Sequence, residues 1–325
     1  MIKDEDKSHF FVDLIGGRKR APLFGQWELT CRCNLRCVMC YTDCFNTPEQ
    51  IRQELALSEI LRIMGELQEA GVMGLVLTGG EPLARQDFAE IYTDAVRHGI
   101  RVTVFTNGTL ITPKVVELWT TLPPEMIEIS LHGLGASFDR ITGVKGSYDR
   151  CLDGVRCLRE RNVPLTLKTV GMTINEDEIL RIKQFVESLG GVQWYLGEQM
   201  RPALDGSEAP LRFQLPQEIF GNIARHDIQM QEEHDRITAQ LNHTPTQEEI
   251  QHNRCGSRHK FHIDAYGGLQ LCSANRTKTY DLRHGAFREG FYEALPEFPC
   301  AKKSAKVEMP AQLLTTNGAA HGDER

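Results

Sequence analysis

Long apolar runs are missing from this 325-residue chain, and no stretch approaches the roughly 20 residues that span a bilayer. An export signal is missing too: residues 1–20 are charged, and their short apolar patch is broken by Asp13. Positive charge is in short supply. Lys and Arg number 37 against 44 Asp and Glu, and the resulting net charge of −7 gives no broad attraction to nucleic acid or to an anionic membrane. A cytoplasmic chain that binds neither is therefore expected. What remains is ordinary globular composition, 41% hydrophobic and 25% charged, in a chain long enough for one large domain and a smaller one. The ten cysteines are less ordinary. Without an export signal they point to metal binding rather than to disulfides.

The cysteines fall as five near the start, two in the middle and three near the end. Thr30-Cys31-Arg32-Cys33-Asn34-Leu35-Arg36-Cys37-Val38-Met39-Cys40-Tyr41 holds the densest group. Cys33, Cys37 and Cys40 follow a C-x3-C-x2-C spacing that lets one loop wrap three sulfurs around an inorganic centre. Thiolates select zinc or an iron–sulfur cluster. Structural zinc takes four ligands, and no histidine lies near; the fourth would be Cys31, Cys44 or a remote group. An iron–sulfur cube held by three thiolates leaves one iron open to a small molecule. The cluster is the expected occupant, with zinc and a chance grouping of thiols as its rivals.

This spacing, preceded by Glu28-Leu29-Thr30 and followed by Tyr41, resembles the radical S-adenosylmethionine (SAM) superfamily. The resemblance implies a [4Fe–4S] cluster whose open iron is chelated by the amino and carboxylate groups of SAM. It implies reductive cleavage of SAM to methionine and a 5′-deoxyadenosyl radical, which takes a hydrogen atom from substrate. The position before the third cysteine is usually aromatic in that family and is Met39 here, a long apolar side chain able to pack beside adenine.

From Gln26 onward, strand-like and helix-like segments alternate. Strands are read at Gln26–Leu29, Gly74–Thr78, Val102–Thr106, Met126–Leu131, Leu165–Thr173 and Val192–Leu196. Helices are read from a Ser58 cap to Ala70, from Asp87, from Pro113 to Trp119, from a Ser147 cap to Arg161, and over Asp177–Leu189. Such alternation means βαβ units and a parallel sheet, here a partial (β/α)6 TIM-like barrel. Ligands of such folds gather at the C-terminal ends of the strands.

The remaining motifs follow strands, as that rule requires. Thr78-Gly79-Gly80-Glu81-Pro82 follows the second: the glycines let a ligand approach the backbone, and Glu81 offers a carboxylate to an ammonium. Alone it also reads as a strand-to-helix turn. With the cysteines it resembles the family segment that binds the SAM amino group. The resemblance places Asn107, in Thr106-Asn107-Gly108-Thr109, at the site mouth, and Ser130 against the SAM ribose or carboxylate. Residues 138–143 resemble a family segment that often ends Arg-Gly; Thr142 stands where that arginine would be, and Arg140 is a candidate substitute. Lys168 lines the mouth or faces outward, and outward is the expectation. His132 reads as a substrate-pocket or surface residue. Cys151 and Cys157 read as small buried side chains, and Cys31 and Cys44 have no assigned role. No general acid or base stands out.

Residues 1–24 read as a solvated arm, 25–202 as the barrel, 203–254 as a polar helical connector and 302–325 as a disordered tail. Residues 255–301 hold Cys255, a hairpin turning at Tyr266-Gly267-Gly268, Cys272, a helical stretch and Cys300. This C-x11-G-x4-C pattern resembles the start of a SPASM domain in its shorter twitch form, found on radical SAM peptide maturases. The resemblance implies an auxiliary iron–sulfur cluster on Cys255, Cys272 and Cys300. A zinc clip completed by His259, His262 or His284 is the alternative. A peptide or protein substrate is expected, a small molecule such as a tetrapyrrole is the alternative, and electrons are expected from a flavodoxin or ferredoxin. A non-catalytic iron–sulfur or zinc protein is the reading from another class.

Overall fold

The computed structural model describes residues 20–42, 47–197, 199–227, 230–232, 235, 258–274 and 276–298. Cys44, Cys255, Cys300, most of the arm and connector, and the tail lie outside the described residues.

Six parallel strands form the expected frame: β1 (Phe24–Glu28), β2 (Gly74–Thr78), β3 (Arg101–Thr106), β4 (Met126–Ser130), β5 (Leu165–Val170) and β6 (Gln193–Gly197). The helices between them are α1 (Pro48–Gln53), α2 (Leu57–Glu69), α3 (Phe88–Arg97), α4 (Pro113–Thr121), α5 (Ala136–Thr142), α6 (Ser147–Glu160) and α7 (Ile179–Ser188). This is the mostly parallel α/β architecture of a partial TIM-like barrel.

The strands alternate, and the alternation divides the molecule. Trp27, Leu77, Val104, Ile129 and Leu167 point to the helices, where Ile60, Met64, Ile91, Trp119, Leu158 and Val186 complete one apolar core. The opposite face carries Gln26, Thr78, Phe105, Ser130, Lys168 and Tyr195. One side of the sheet therefore supplies stability and the other is free to be polar.

Local details differ from the sequence expectations for identifiable reasons. Ser58 does not cap α2; the Ala56 N–H donates to Glu59 Oε2 at 2.7 Å, so Glu59 ties the helix start. Asp87 precedes α3, but its carboxylate grips Arg85 through two 2.8 Å bonds instead of capping. Helix α5 was not expected. It buries Phe138 and Ile141, and its Asp139 accepts from the Gly146 and Tyr148 N–H groups, so Asp139 rather than Ser147 caps α6. β5 ends at Val170 because the Asn175 amide takes the Val170 and His132 carbonyls and receives the Met172 N–H.

Past β6, helix α8 (Gln217–Ala224) lies in the stretch read as a connector, and Leu215, Phe220 and Ala224 pack with Ile179 against β6. The hairpin strands are β7 (Lys260–Ile263) and β8 (Gly268–Gln270), followed by β9 (Tyr280–Asp281). β7 pairs in parallel with β1, Gln26 opposite His262 and Trp27 opposite Ile263, so the hairpin extends the barrel sheet. The strand order is β6-β5-β4-β3-β2-β1-β7-β8-β9. Asp264 closes the turn by accepting from the Tyr266 and Gly268 N–H groups, and Gly267 takes φ 88°. Phe261, Phe287 and Phe291 stack in the same core as the barrel.

Candidate cluster and SAM site

A cavity of about 860 Å³ opens at the C-terminal ends of the parallel strands. Cys33, Cys37 and Cys40 line it, with Gly79, Gly80, Asn107 and Ser130. Seven of the eight residues expected at this site are thus brought to one cavity.

The cysteine loop is held from two sides. Its Arg36 and Val38 N–H groups donate to the Thr142 and Ile141 carbonyls at 2.8 and 2.9 Å, which docks it on the end of α5. On the other side the Gly80 N–H donates to the Thr30 carbonyl at 2.9 Å. The two glycines are required here by the chain itself. A Cβ on Gly79 would meet the Thr30 oxygen at 2.4 Å, and one on Gly80 the Arg32 oxygen at 2.4 Å. The sequence reading gave the close approach to a ligand; the structure gives it first to the cysteine loop.

Glu81 is a correction to the reading. Its carboxylate does not face the cavity. It is fully buried, accepting from Thr106 Oγ1 and the Asn107 N–H at 2.7 Å and from the Leu83 N–H at 3.1 Å. Burial pushes its carboxyl up to about 7, against the pull of those three donors. Its place is inside the loop, joining the β2 and β3 ends.

Burial, and then the neighbouring Cys40 and Cys33 sulfurs, push the Cys37 thiol up to about 12. Three thiolates so placed need a cationic centre among them. Among the described residues no three His, Cys, Asp or Glu side chains close on a single metal ion.

Other cavity residues were read differently or missed. Lys168 faces inward, not outward: its Nζ pairs with Glu128 and sits 4.0 Å from the Phe105 ring centre. Ion pair and ring together offset the cost of withdrawing an ammonium from water. Strand parity carries the signal, since Leu165 and Leu167 lie in the core on the other face. His132 is buried at the cavity wall, accepts the Val170 N–H on Nδ1 at 3.1 Å, and is pushed by burial down to about 4, so it is neutral. Thr142 lines the cavity and donates to the Phe138 carbonyl, whereas Arg140 is exposed and does not line it. Cys151 is buried in the core as expected, and Cys157 packs at its margin. Cys31 Sγ lies 3.2 Å from Glu54 Oε1, behind the loop.

Of the three cysteines read as auxiliary ligands, only Cys272 is among the described residues, half-buried after β8. Nearby, Arg276 makes a two-pronged ion pair with the buried Glu28 of β1, and so ties this segment to the root of the cysteine loop.

A sequence model of the Radical SAM superfamily matches residues 27–186. The chain is 34% identical over 177 residues to the AdoMet-dependent heme synthase of Methanosarcina barkeri, covering 54% of this chain and 50% of that protein. It is 31% identical over 166 residues to the sporulation killing factor maturation protein SkfB of Bacillus subtilis, covering 51% and 39%. The chain thus spans half or less of these curated relatives. The crystal structure of Streptococcus suis SuiB bound to precursor peptide SuiA superposes with a TM-score of 0.68 at 17% identity, over 92% of this chain and 70% of that one. With three cysteines on one cavity, a glycine pair bracing their loop and a matching parallel sheet, residues 27–186 form a domain of the radical SAM superfamily.

Proposed function

We propose that the chain reductively cleaves SAM at a [4Fe–4S] cluster on Cys33, Cys37 and Cys40, and acts on a peptide or protein. The observation that carries this reading is the convergence of those thiols with Gly79 and Gly80 on one cavity at the strand ends. The donor set fits the cluster: three soft ligands in one loop, none of them histidine. When bound, cluster and SAM supply a one-electron cleavage that yields methionine and a hydrogen-abstracting 5′-deoxyadenosyl radical. The chain supplies placement and exclusion of water. The Gly79-Gly80 backbone borders the place of the SAM amino group, Ser130 that of the ribose or carboxylate, and Met39 offers an apolar side chain to adenine. Lys168 and Tyr195 line the wall left to substrate.

The peptide reading is supported by the likeness to SkfB and by the twitch-like hairpin pattern. Cys255, Cys272 and Cys300 are proposed to hold a second cluster, and a flavodoxin or ferredoxin to supply electrons in the cytoplasm. The likeness to a heme synthase, with the cations of Lys168 and Arg201 at the cavity, favours a second reading, a tetrapyrrole bearing carboxylates.

The test is anaerobic reconstitution with iron and sulfide, then dithionite and SAM. Release of 5′-deoxyadenosine is expected, and its absence from a fully loaded protein overturns the reading. Added precursor peptides or iron porphyrins then separate the two substrate classes by which one accelerates release.

A further inference from the structure

Asn107 lies in a closed ring of side-chain hydrogen bonds that reaches from the β3 loop into the cysteine loop. Its Nδ2 donates to Asn34 Oδ1 at 2.9 Å; Asn34 Nδ2 donates to Thr109 Oγ1 at 2.7 Å; Thr109 Oγ1 donates to Asn107 Oδ1 at 2.6 Å. The polarity is fixed by a group that only donates. The Thr109 backbone N–H gives a second bond to Asn107 Oδ1 at 2.9 Å, so that atom is the oxygen and the amide cannot be turned over. Thr109 is buried, which screens one side of the ring from water.

The fixed orientation has a chemical result. Both acceptor positions on Oδ1 and one proton of Nδ2 are committed within the ring. The remaining amide proton lies on the side of Cys33 Sγ, with Nδ2 3.9 Å from the sulfur, and the Leu35 N–H approaches the same sulfur at 3.4 Å. Asn107 therefore has no amide group left for SAM and one N–H for the sulfur. A donor to a cluster thiolate withdraws negative charge from it and favours the state carrying one more electron.

We propose that Asn107 is a positioning and tuning residue for the cluster: its amide, locked by Asn34 and Thr109, donates to the Cys33 thiolate and makes the cluster easier to reduce. The inference rests on the cluster being bound at Cys33, Cys37 and Cys40.

The test is the midpoint potential of the reconstituted full chain without SAM, followed by electron paramagnetic resonance during a reductive titration. Asn107→Leu keeps the shape and removes the donor. Thr109→Val leaves the amide in place and opens the ring, removing the hydroxyl that accepts from Asn34 and gives one of the two bonds to Asn107 Oδ1. With iron and sulfide per chain unchanged, Asn107→Leu is expected to lower the reduced-to-oxidised ratio about tenfold at a given potential, a shift of about 59 mV for a one-electron couple. Thr109→Val is expected to shift it the same way by less. An unchanged midpoint in a fully loaded Asn107→Leu protein overturns the proposal, and a loss of SAM affinity at unchanged midpoint overturns it in favour of a direct SAM contact. If Asn107→Leu fails to load, Thr109→Val decides: an unchanged midpoint there overturns the proposal. A parent chain that binds no cluster on the three cysteines overturns the underlying reading as well, and is recognised before any variant is titrated.

Discussion

The Glu81 backbone N–H donates to the Arg32 carbonyl at 2.7 Å. This bond joins the segment after β2 to the middle of the cysteine loop, and the Gly80–Thr30 bond runs beside it. The Gly79-Gly80-Glu81 segment is therefore a brace for the cysteine loop as well as a wall of the cavity. The glycines allow contact, the backbone makes it, and the Glu81 carboxylate anchors the brace to β3.

Cys37→Ala is expected to abolish cluster retention and SAM cleavage, because two thiolates do not hold a cube. Iron and sulfide content and 5′-deoxyadenosine after anaerobic reconstitution are the measurements. Product at the parent rate would remove Cys37 from the ligand set.

Glu81→Gln is expected to act on stability. Whichever way the new amide lies, its NH₂ meets the Leu83 or the Asn107 N–H, one donor against another, at a cost of roughly 2 kcal/mol. The effect is pH-dependent. The folded carboxyl titrates at about 7 and the unfolded one near the usual ~4.5, so between those values the folded state holds more proton. Its contribution is complete below ~4.5 and is lost as pH rises through about 7. Parent minus variant unfolding free energy should therefore fall across that window, on the order of 3 kcal/mol in all. Urea denaturation of metal-free protein at a series of pH values measures it. A gap that widens with pH would contradict the assignment.

His132 should show the opposite slope. Its folded value of about 4 lies below the unfolded ~6.5, so its contribution is complete above ~6.5 and is lost as pH falls through about 4. Parent minus His132→Asn stability should rise between those limits. A flat difference would mean that the imidazole is solvated and does not accept the Val170 N–H.

Arg85→Ala should cost roughly 3 kcal/mol, the scale for breaking a buried ion pair. The buried guanidinium bonds to Asp87, which it holds below the usual carboxylate range, and also to the Leu29 and Leu55 carbonyls. Removing it unties the end of β1, the start of α2 and the β2 loop at once. Thermal unfolding measures the loss, and a change under about 1 kcal/mol, the level of an exposed pair, would refute it.

The Cys33/Cys37/Cys40 triple alanine variant separates the second cluster from the first. Retained iron and sulfide after anaerobic reconstitution are expected. A colourless protein carrying zinc or no metal would refute the auxiliary cluster.

What is legible in the sequence is what repeats or clusters locally. The six parallel strands show because apolar runs and amphipathic helices alternate, and the three thiols show because they share one loop. Long-range facts do not show. Glu81 turns inward because its partners Thr106 and Asn107 lie 25 and 26 residues onward on another strand. Lys168 faces the cavity because of strand parity, which a single lysine among Leu and Thr disguises. Helix α5 hides because it is short and its Asp139 serves the next helix. The pairing of β7 with β1 has no local signature at all.

That last pairing has a consequence for how the chain folds. β1 is the first strand among the described residues, yet it sits inside the sheet, with β2 on one side and β7, more than 230 residues later, on the other. Such a contact is slow to form, because closing a long loop comes before any reward. During synthesis β1 stands as a bare edge beside the cysteine loop until residue 263 has left the ribosome, and bare edges invite pairing with other chains. A version shortened before residue 260 would keep the cysteine loop, the glycine brace and all six barrel strands, and would still be expected to aggregate.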